Sequence, residues 1–435
     1  MTARRCRPGG DIQHRLCAVD AQTYWMSAKI PNDTVLLFGF AGVPADLERA
    51  LAQIAERARG CADLTVRIDD GRGLTYPAWV HRDVDRSQFV VHDIDDRTFQ
   101  ACLDKLGALI SDQVDARVAA WRLHVFTDID GVPGVAGPST VAVFQISHAL
   151  GGGGRTSGPA ALMFGRVGGV VPGIEVPSPG LFALPASGLR AARAYRQMAE
   201  DTAAGRIPPP AELRPVLRTN ARPTGPTQLR TVTVARSALT GPTVTVSALS
   251  AVSAALGGQL LELGEDTSAL GAEVPMTKPP PRLAYNHFGN VGVGLYPELV
   301  EAERVVRIAA DLDARRRRAA HAAMRAADVA FATTPAPLLR WGMRRFDPDV
   351  RVANVTGNTV VSSVNFGAAD FGFGDAPVTM VGAFAGLSPM MGLTHVVCGA
   401  GDSITVGVHA TPSAIGEIDA YVERLERAFG RAVAS

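Results

Sequence analysis

The sequence predicts a mixed α/β protein built from two halves of similar content, and three observations carry that reading. The first half alternates apolar strands with amphipathic helices in the order β-α-β-α-β-turn-β. A stretch at residues 205–230 holds six prolines and few apolar anchors, which reads as an interdomain linker. Beyond it a second series restarts with a strand, a helix and three later strands. At 435 residues the chain is too long for one ordinary core, so two domains of roughly 200 residues are the natural division. The expected layout is a polar, disordered terminus at 1–12, one domain at 13–204, the linker at 205–230 and a second domain at 231–435.

The elements follow from apolar spacing. Residues 34–40, Thr-Val-Leu-Leu-Phe-Gly-Phe, form a strand. Residues 45–60 follow as a helix, with Leu47, Leu51 and Ile54 on one face and Pro44 near its start. Residues 88–92 are a strand, 96–109 a second amphipathic helix, and 120–126 an alternating strand. Asp130-Gly131 supplies a turn into the apolar strand 140–146. A helix is expected up to Phe164, a Gly/Pro-rich loop at 168–188 and a helix at 189–204. In the second half, 231–234 is a strand, 247–263 a helix, and 299–332 one long helical stretch with Val305, Ile308 and Leu312 inward. Strands at 358–364, 396–399 and 403–409 precede a last helix, 414–428, whose buried stripe is Ile415, Ile418, Val422 and Leu425.

Composition excludes several functions. Hydrophobic residues make up 47% and charged residues 20%, which is ordinary for a globular protein. The net charge of +1 gives no field to draw in nucleic acid. Five scattered cysteines, with no Cys-x-x-Cys pair, predict reduced thiols in a cytoplasmic setting and no metal site. No run of 18 apolar residues predicts a membrane span, which leaves peripheral placement on a lipid surface open.

The chemistry centres on Ser147-His148-Ala149-Leu150-Gly151-Gly152-Gly153. A histidine at the end of a buried strand, with glycines next to it, has a fixed backbone and room for a close approach. That is a place for a general base, since an imidazole titrates near working pH. The alternative is a histidine that merely caps a strand. Ser147 either hydrogen-bonds nearby groups or is a small strand-end residue. Asn290 is either an oxyanion donor or a turn asparagine, and His287 is either a second polar group at the site or, as the better reading, a packing or surface histidine. The run Arg315-Arg316-Arg317-Arg318 either meets phosphates or an anionic lipid surface or, as the better reading, is a solvated helix face.

The same segment resembles a degraded His-His-x-x-x-Asp-Gly, the acyl-transfer motif of coenzyme A-dependent acyltransferases. Ser147 stands at the first His, His148 at the second, Gly152 at the Asp and Gly153 at the Gly. Further segments resemble the bacterial wax ester synthase/diacylglycerol acyltransferase family in the same order. These are Val19-Asp20-Ala21, the stretch Asp115 to Trp121 with its tryptophan kept, Gly289-Asn290, and Val360-Val361-Ser362-Ser363-Val364. The resemblance implies two chloramphenicol-acetyltransferase-like halves with a tunnel at their interface. Acyl-CoA would enter as co-substrate from one side, with no cofactor, and a lipid alcohol acceptor from the other. His148 would act as general base, with Ser147, Gly152, Gly153, Asn290 and Trp121 as supporting candidates. The products would be triacylglycerol or wax ester, made in the cytoplasm or at membranes and lipid inclusions.

In related acyltransferases the motif aspartate holds the loop through a salt bridge, which Gly152 cannot do. A competing reading is therefore a catalytically weak or silent member that binds acyl chains or regulates a partner. A third is transfer to a polyketide or peptidyl hydroxyl. An active base would line a tunnel with its Nδ1 held by a backbone carbonyl.

Overall fold

A computed structural model describes residues 12–71, 73–167, 174 and 183–430. Residues 1–11 of the terminus expected to be disordered and most of the loop expected at 168–188 lie outside these residues, and Ile12 already belongs to a strand.

Seven strands precede residue 150: β1 (Ile12–Arg15), β2 (Thr34–Ala41), β3 (Val66–Asp69), β4 (Ala78–His81), β5 (Phe89–His92), β6 (Trp121–Ile129) and β7 (Ser139–Ile146). Ten follow: β8 (Arg214–Pro215), β9 (Gln228–Ala235), β10 (Gly271–Thr277), β11 (Phe288–Gly294), β12 (Asn354–Val355), β13 (Thr359–Gly367), β14 (Gly372–Phe373), β15 (Ala376–Phe384), β16 (Leu393–Ala400) and β17 (Ser403–Ala410). The helices used below are α1 (Ala18–Ser27), α2 (Leu47–Arg59), α3 (Phe99–Leu109), α4 (Gly153–Met163), α5 (Ala183–Ala203), α6 (Val244–Glu262) and α7 (Glu301–Ala319).

Two mixed six-stranded sheets carry the fold, ordered β14-β15-β2-β7-β6-β5 and β11-β10-β13-β16-β17-β9. Their central strands are continuous apolar runs because helices or the other sheet cover both faces. On β2, Leu36, Phe38 and Phe40 enter one core while Val35 and Leu37 enter another. The sheet of the second half packs on α6, which is apolar all round. By length and composition α6 could cross a membrane, yet 72% of it is buried in this core.

The halves are not separate in space. After β13 the chain leaves the second sheet, adds β14 and β15 to the edge of the first beside β2, and returns as β16. Phe366 and Phe371 come with this crossing and stack edge-on against Phe38 at 5.9 and 6.0 Å. The linker expected at 205–230 also carries structure, since β8 pairs with β12 and β9 begins at Gln228.

Other expectations shift for local reasons. Asp46 and Thr98 cap α2 and α3 through their side chains, so these helices begin at Leu47 and Phe99. The stretch expected as one helix at 299–332 is two, because His321 caps a new helix, Ala322–Ala332, with its own side chain. Ile308 and Leu312 are buried as expected, with Val305 partly so. The last helix breaks at Gly416, whose φ of 71° favours glycine, and Tyr421 takes the buried place expected for Val422. Within the arginine run, Arg315 and Arg318 donate to the carbonyls of Pro209 and Pro208, so two of the four tether a loop instead of facing water.

The crossing strand lies so close to β17 that only glycine fits at Gly407, where a Cβ would stand 2.1 Å from the carbonyl oxygen of Ala383. Gly407→Ala should therefore destabilise the protein by at least about 1–3 kcal/mol, the range for overpacking a core. Urea unfolding followed by tryptophan fluorescence reads this; a loss below about 0.5 kcal/mol would show that β15 yields freely.

Candidate active site

Strand β7 delivers His148. Ile146 pairs with Trp121 and Thr34, and the Ser147 amide donates to the carbonyl of Ala120 at 2.9 Å. A single 3-10 turn, His148–Leu150, then leads into α4. Gly151 in that turn has φ 114° and would drive a Cβ into Arg155 at 2.9 Å, so both its conformation and its space call for glycine.

The imidazole is enclosed by protein, and its remaining surface lies on the wall of a cavity of about 400 Å³. Both halves contribute to that wall: Thr34, Gly152 and Arg155 from the first, Tyr285, Phe288 and Ser362 from the second. The return of the crossing strand, residues 384–388, closes another side. Phe288 meets the His148 ring edge-on at 6.1 Å. The ring makes no hydrogen bond to another described residue, so the expected carbonyl anchor on Nδ1 is missing. Burial without a partner lowers its pKa to about 4, which leaves the imidazole neutral at ordinary pH with a lone pair to accept a proton.

The backbone under this ring is held from the other half. Asp20 on α1, 1% exposed, accepts from the amides of Tyr285 and Asn286 at 2.9 Å each and from Asn286 Nδ2 at 3.0 Å. The Cys17 thiol donates to Oδ2, the oxygen that also takes the Tyr285 amide, at 2.9 Å. Burial raises the pKa of Asp20 and these donors oppose the rise. Asn286 Nδ2 also donates to the carbonyl of His148 itself at 2.9 Å. One carboxylate thus joins α1, the 285–286 segment and the histidine.

A second device fixes the turn. Arg155 donates Nη1 to the carbonyl of Leu150 at 2.7 Å and Nη2 to both Asp63 oxygens at 3.0 and 2.9 Å. Its guanidinium lies 3.5 Å from the centre of the Tyr285 ring, whose hydroxyl is 2.6 Å from His14 Nε2. Arginine and aspartate brace the turn from within the first half, a task the resemblance assigns to the aspartate replaced here by Gly152. Gly152 is the N-cap of α4 with an ordinary φ of −71°; a Cβ there would lie 3.4 Å from His148 Nε2. At Gly153 the limit is steric, since a Cβ would come within 3.0 Å of Val364 on β13.

Of the supporting candidates, Gly152 and Gly153 line the cavity with His148. Asn290 does not: it is exposed on β11 opposite Pro275, and its amide donates to the Glu273 carboxylate. The strand register turns it away, so its reading as an oxyanion donor is corrected. Trp121 is a core residue, its Nε1 donating to the carbonyl of Leu64 at 2.8 Å between the rings of Phe89 and Phe144. Ser147 is buried and borders a neighbouring cleft with Tyr24 and Trp25. His287 is buried and lines the main cavity, its Nε2 donating to the carbonyl of Pro279 at 3.0 Å. Asn286, Arg155 and Tyr285 escaped notice because their partners lie 92 to 271 residues away. Among the described residues no cluster of three His, Cys, Asp or Glu could hold a metal ion.

Residues 286–431 match the family model of the WS/DGAT C-terminal domain. No curated protein matches the chain in sequence. Among solved structures it is similar to the wax ester synthase/diacylglycerol acyltransferase from Marinobacter aquaeolei VT8, at 18% identity and a TM-score of 0.61, covering 96% of this chain and 98% of that one. It is also similar to the first condensation domain of the CDA synthetase, at 15% identity, a TM-score of 0.56 and 96% of each chain. A mutant starter condensation domain of rhizomide synthetase RzmA in complex with C8-CoA and Leu-SNAC follows, at 14% identity, a TM-score of 0.55 and 96% and 93% coverage. The mixed α/β fold of two related halves is therefore shared across its length.

A titration of the His148 ring by NMR should show a midpoint near 4, because burial disfavours the imidazolium. Since the folded pKa lies below the ordinary imidazole value of 6.5, this group's contribution to stability is lost as pH falls from 6.5 towards 4. Gly152→Asp would set a carboxylate beside Nε2 and raise that midpoint by about 1–3 units. A wild-type midpoint near 6.5 would mean a solvated ring and contradict this description.

Proposed function

We propose that this chain, which carries a WS/DGAT C-terminal domain at residues 286–431 on the wax ester synthase fold, is an acyl-CoA-dependent O-acyltransferase. Its acceptor is a lipid alcohol, diacylglycerol or a long-chain alcohol, and His148 is its base. The observation that carries this reading is a neutral, unpaired imidazole on the wall of a cavity that both halves enclose.

The chemistry asks little else of the protein. The acceptor hydroxyl oxygen attacks the thioester carbonyl while the imidazole lone pair takes its proton. The resulting tetrahedral oxyanion needs donors, and Ser362 on β13, which lines the cavity and whose hydroxyl has no protein partner among the described residues, is the candidate. Collapse of the intermediate breaks the C–S bond, and the imidazolium returns its proton to the departing coenzyme A thiolate. A base with a pKa of about 4 is weaker than one poised near 7, so proton transfer carries part of the barrier. Access for the two substrates from opposite sides of His148 belongs to this proposal. So does docking on a lipid surface, which the helix Ala336–Arg345 supports by exposing Leu338 and Trp341 beside Arg344 and Arg345.

The second reading, a silent acyl-binding relative, draws on two observations: Gly152 in place of the motif aspartate, and a ring without an orienting hydrogen bond. Thiol release from palmitoyl-CoA separates the two. Acceptor-dependent release that falls about 10²–10⁴-fold in His148→Ala supports the transferase. Equal release from both proteins, each still binding the donor, supports the silent relative.

The clamp beneath His148 makes its own prediction. Asn286→Ala frees the His148 carbonyl and removes one donor from Asp20, so kcat should fall about 10–100-fold through misplacement of the ring. KM for palmitoyl-CoA should change less than about threefold, since Asn286 does not line the cavity. An unchanged kcat would show that the ring is placed without the clamp.

A further inference from the structure

Beside the main cavity lies a smaller chamber of about 130 Å³. The two share Pro31, Asp33, Phe384, Gly386 and Leu387 in their walls, so the chamber continues the cavity past Asp33 towards Ser111, Thr227 and His409. Its lining is otherwise apolar, through Val35, Ile110, Phe384 and Leu387.

Both ionisable groups in this chamber are hydrogen-bond acceptors with spare capacity. Asp33 is 8% exposed; its Oδ2 accepts from the Val114 amide at 2.7 Å and from Gln145 Nε2 at 2.9 Å, and no described residue donates to Oδ1. Burial raises its pKa to about 6, which still leaves it mostly ionised at neutral pH. His409 is 5% exposed, and its Nδ1 stands 2.7 Å from the carbonyl of Ala385. A carbonyl can only accept, so Nδ1 carries the proton. Burial lowers the pKa of the ring to about 4, which keeps it neutral, and Nε2 is then a bare lone pair without a partner among the described residues. A buried acceptor left unpaired is costly, and in a chamber joined to a substrate cavity the natural donor is the ligand.

We propose that this chamber receives the head of the acceptor, and that the acceptor carries a second hydroxyl beside the one that is acylated. A vicinal diol or a monoacylglycerol-type head has this chemistry; a simple primary alcohol or a diacylglycerol, with one hydroxyl, does not. A protonated amine could also donate, but the apolar lining makes its desolvation expensive. This inference rests on the acyl-transfer reading of the main cavity and replaces the one-hydroxyl acceptors named there with a lipid that carries two.

The test is binding, read apart from turnover. Calorimetric titration of the His148→Ala protein with 1,2-decanediol and with 1-decanol gives a ratio of dissociation constants. The diol should bind at least about tenfold more tightly, as expected when a site built for a hydroxyl rejects the analogue that lacks it. Asp33→Asn, made in the same background, keeps both inward hydrogen bonds through its amide oxygen while turning the free acceptor into a donor. His409→Phe removes the lone pair. Each should bring the ratio below about twofold; Asp33→Asn alone decides the matter if the phenylalanine does not fold. Equal binding of the two ligands to the parent, or a ratio that survives Asp33→Asn, overturns the proposal. A diol preference in a protein that releases no thiol from palmitoyl-CoA would instead count against acyl transfer and leave the chamber standing.

Discussion

The crossing of residues 371–384 from one sheet to the other is the constraint on which the rest of the molecule depends. Had each half closed on itself, His148 would end a strand at the surface of a domain. With β15 inserted beside β2, the seam between the halves becomes interior, and Phe366 and Phe371 join the core around Phe38. Burying each such ring contributes about 1.5–3 kcal/mol, enough to hold the halves in one register. That register lets Asp20 reach the 285–286 segment and lets Asn286 reach the carbonyl of His148. The site is a property of the seam and belongs to neither half alone.

With glycine at position 152, where the resemblance would place an aspartate, the turn is held by another pair of residues. Arg155 and Asp63 form a buried pair, 4% and 16% exposed at their side chains, that ties Leu150 and the start of α4 to the first half. Buried pairs are worth little against an apolar replacement, but removing one partner costs about 3–5 kcal/mol, so the brace is stiff once built. What the brace cannot supply is a charge beside the imidazole. Burial lowers the pKa of His148, and no nearby charge offsets it. On the proposed reading, His148 has the placement of a base and less than the usual strength of one.

Much of this was legible in the sequence. The doubly covered strands β2, β7 and β17 show as apolar runs, and His148 stands out as an ionisable residue between such a run and a glycine cluster. What was hidden depends on long-range pairing. Strands β10 and β11 contain Pro275 and four glycines between them, and weak local propensity conceals strands that only the sheet fixes. Strand β15 belongs to the wrong half by sequence order, so no local signal could assign it. Asn290 misled because a Gly-Asn pair reads as a turn, whereas here it sits within β11 and faces outward. The Asp20–Asn286 contact joins residues 266 apart and cannot be read from either segment.

The role proposed for His148 depends on where the thioester lies. A crystal structure with a non-hydrolysable thioether analogue of palmitoyl-CoA would locate its sulfur relative to His148. The prediction is a sulfur and adjoining carbon in the cavity beside Gly152, with room for one hydroxyl oxygen between that carbon and Nε2 at about 3 Å from each. An analogue seated elsewhere, with the cavity left to side chains or water, would contradict the assignment of His148 as the base.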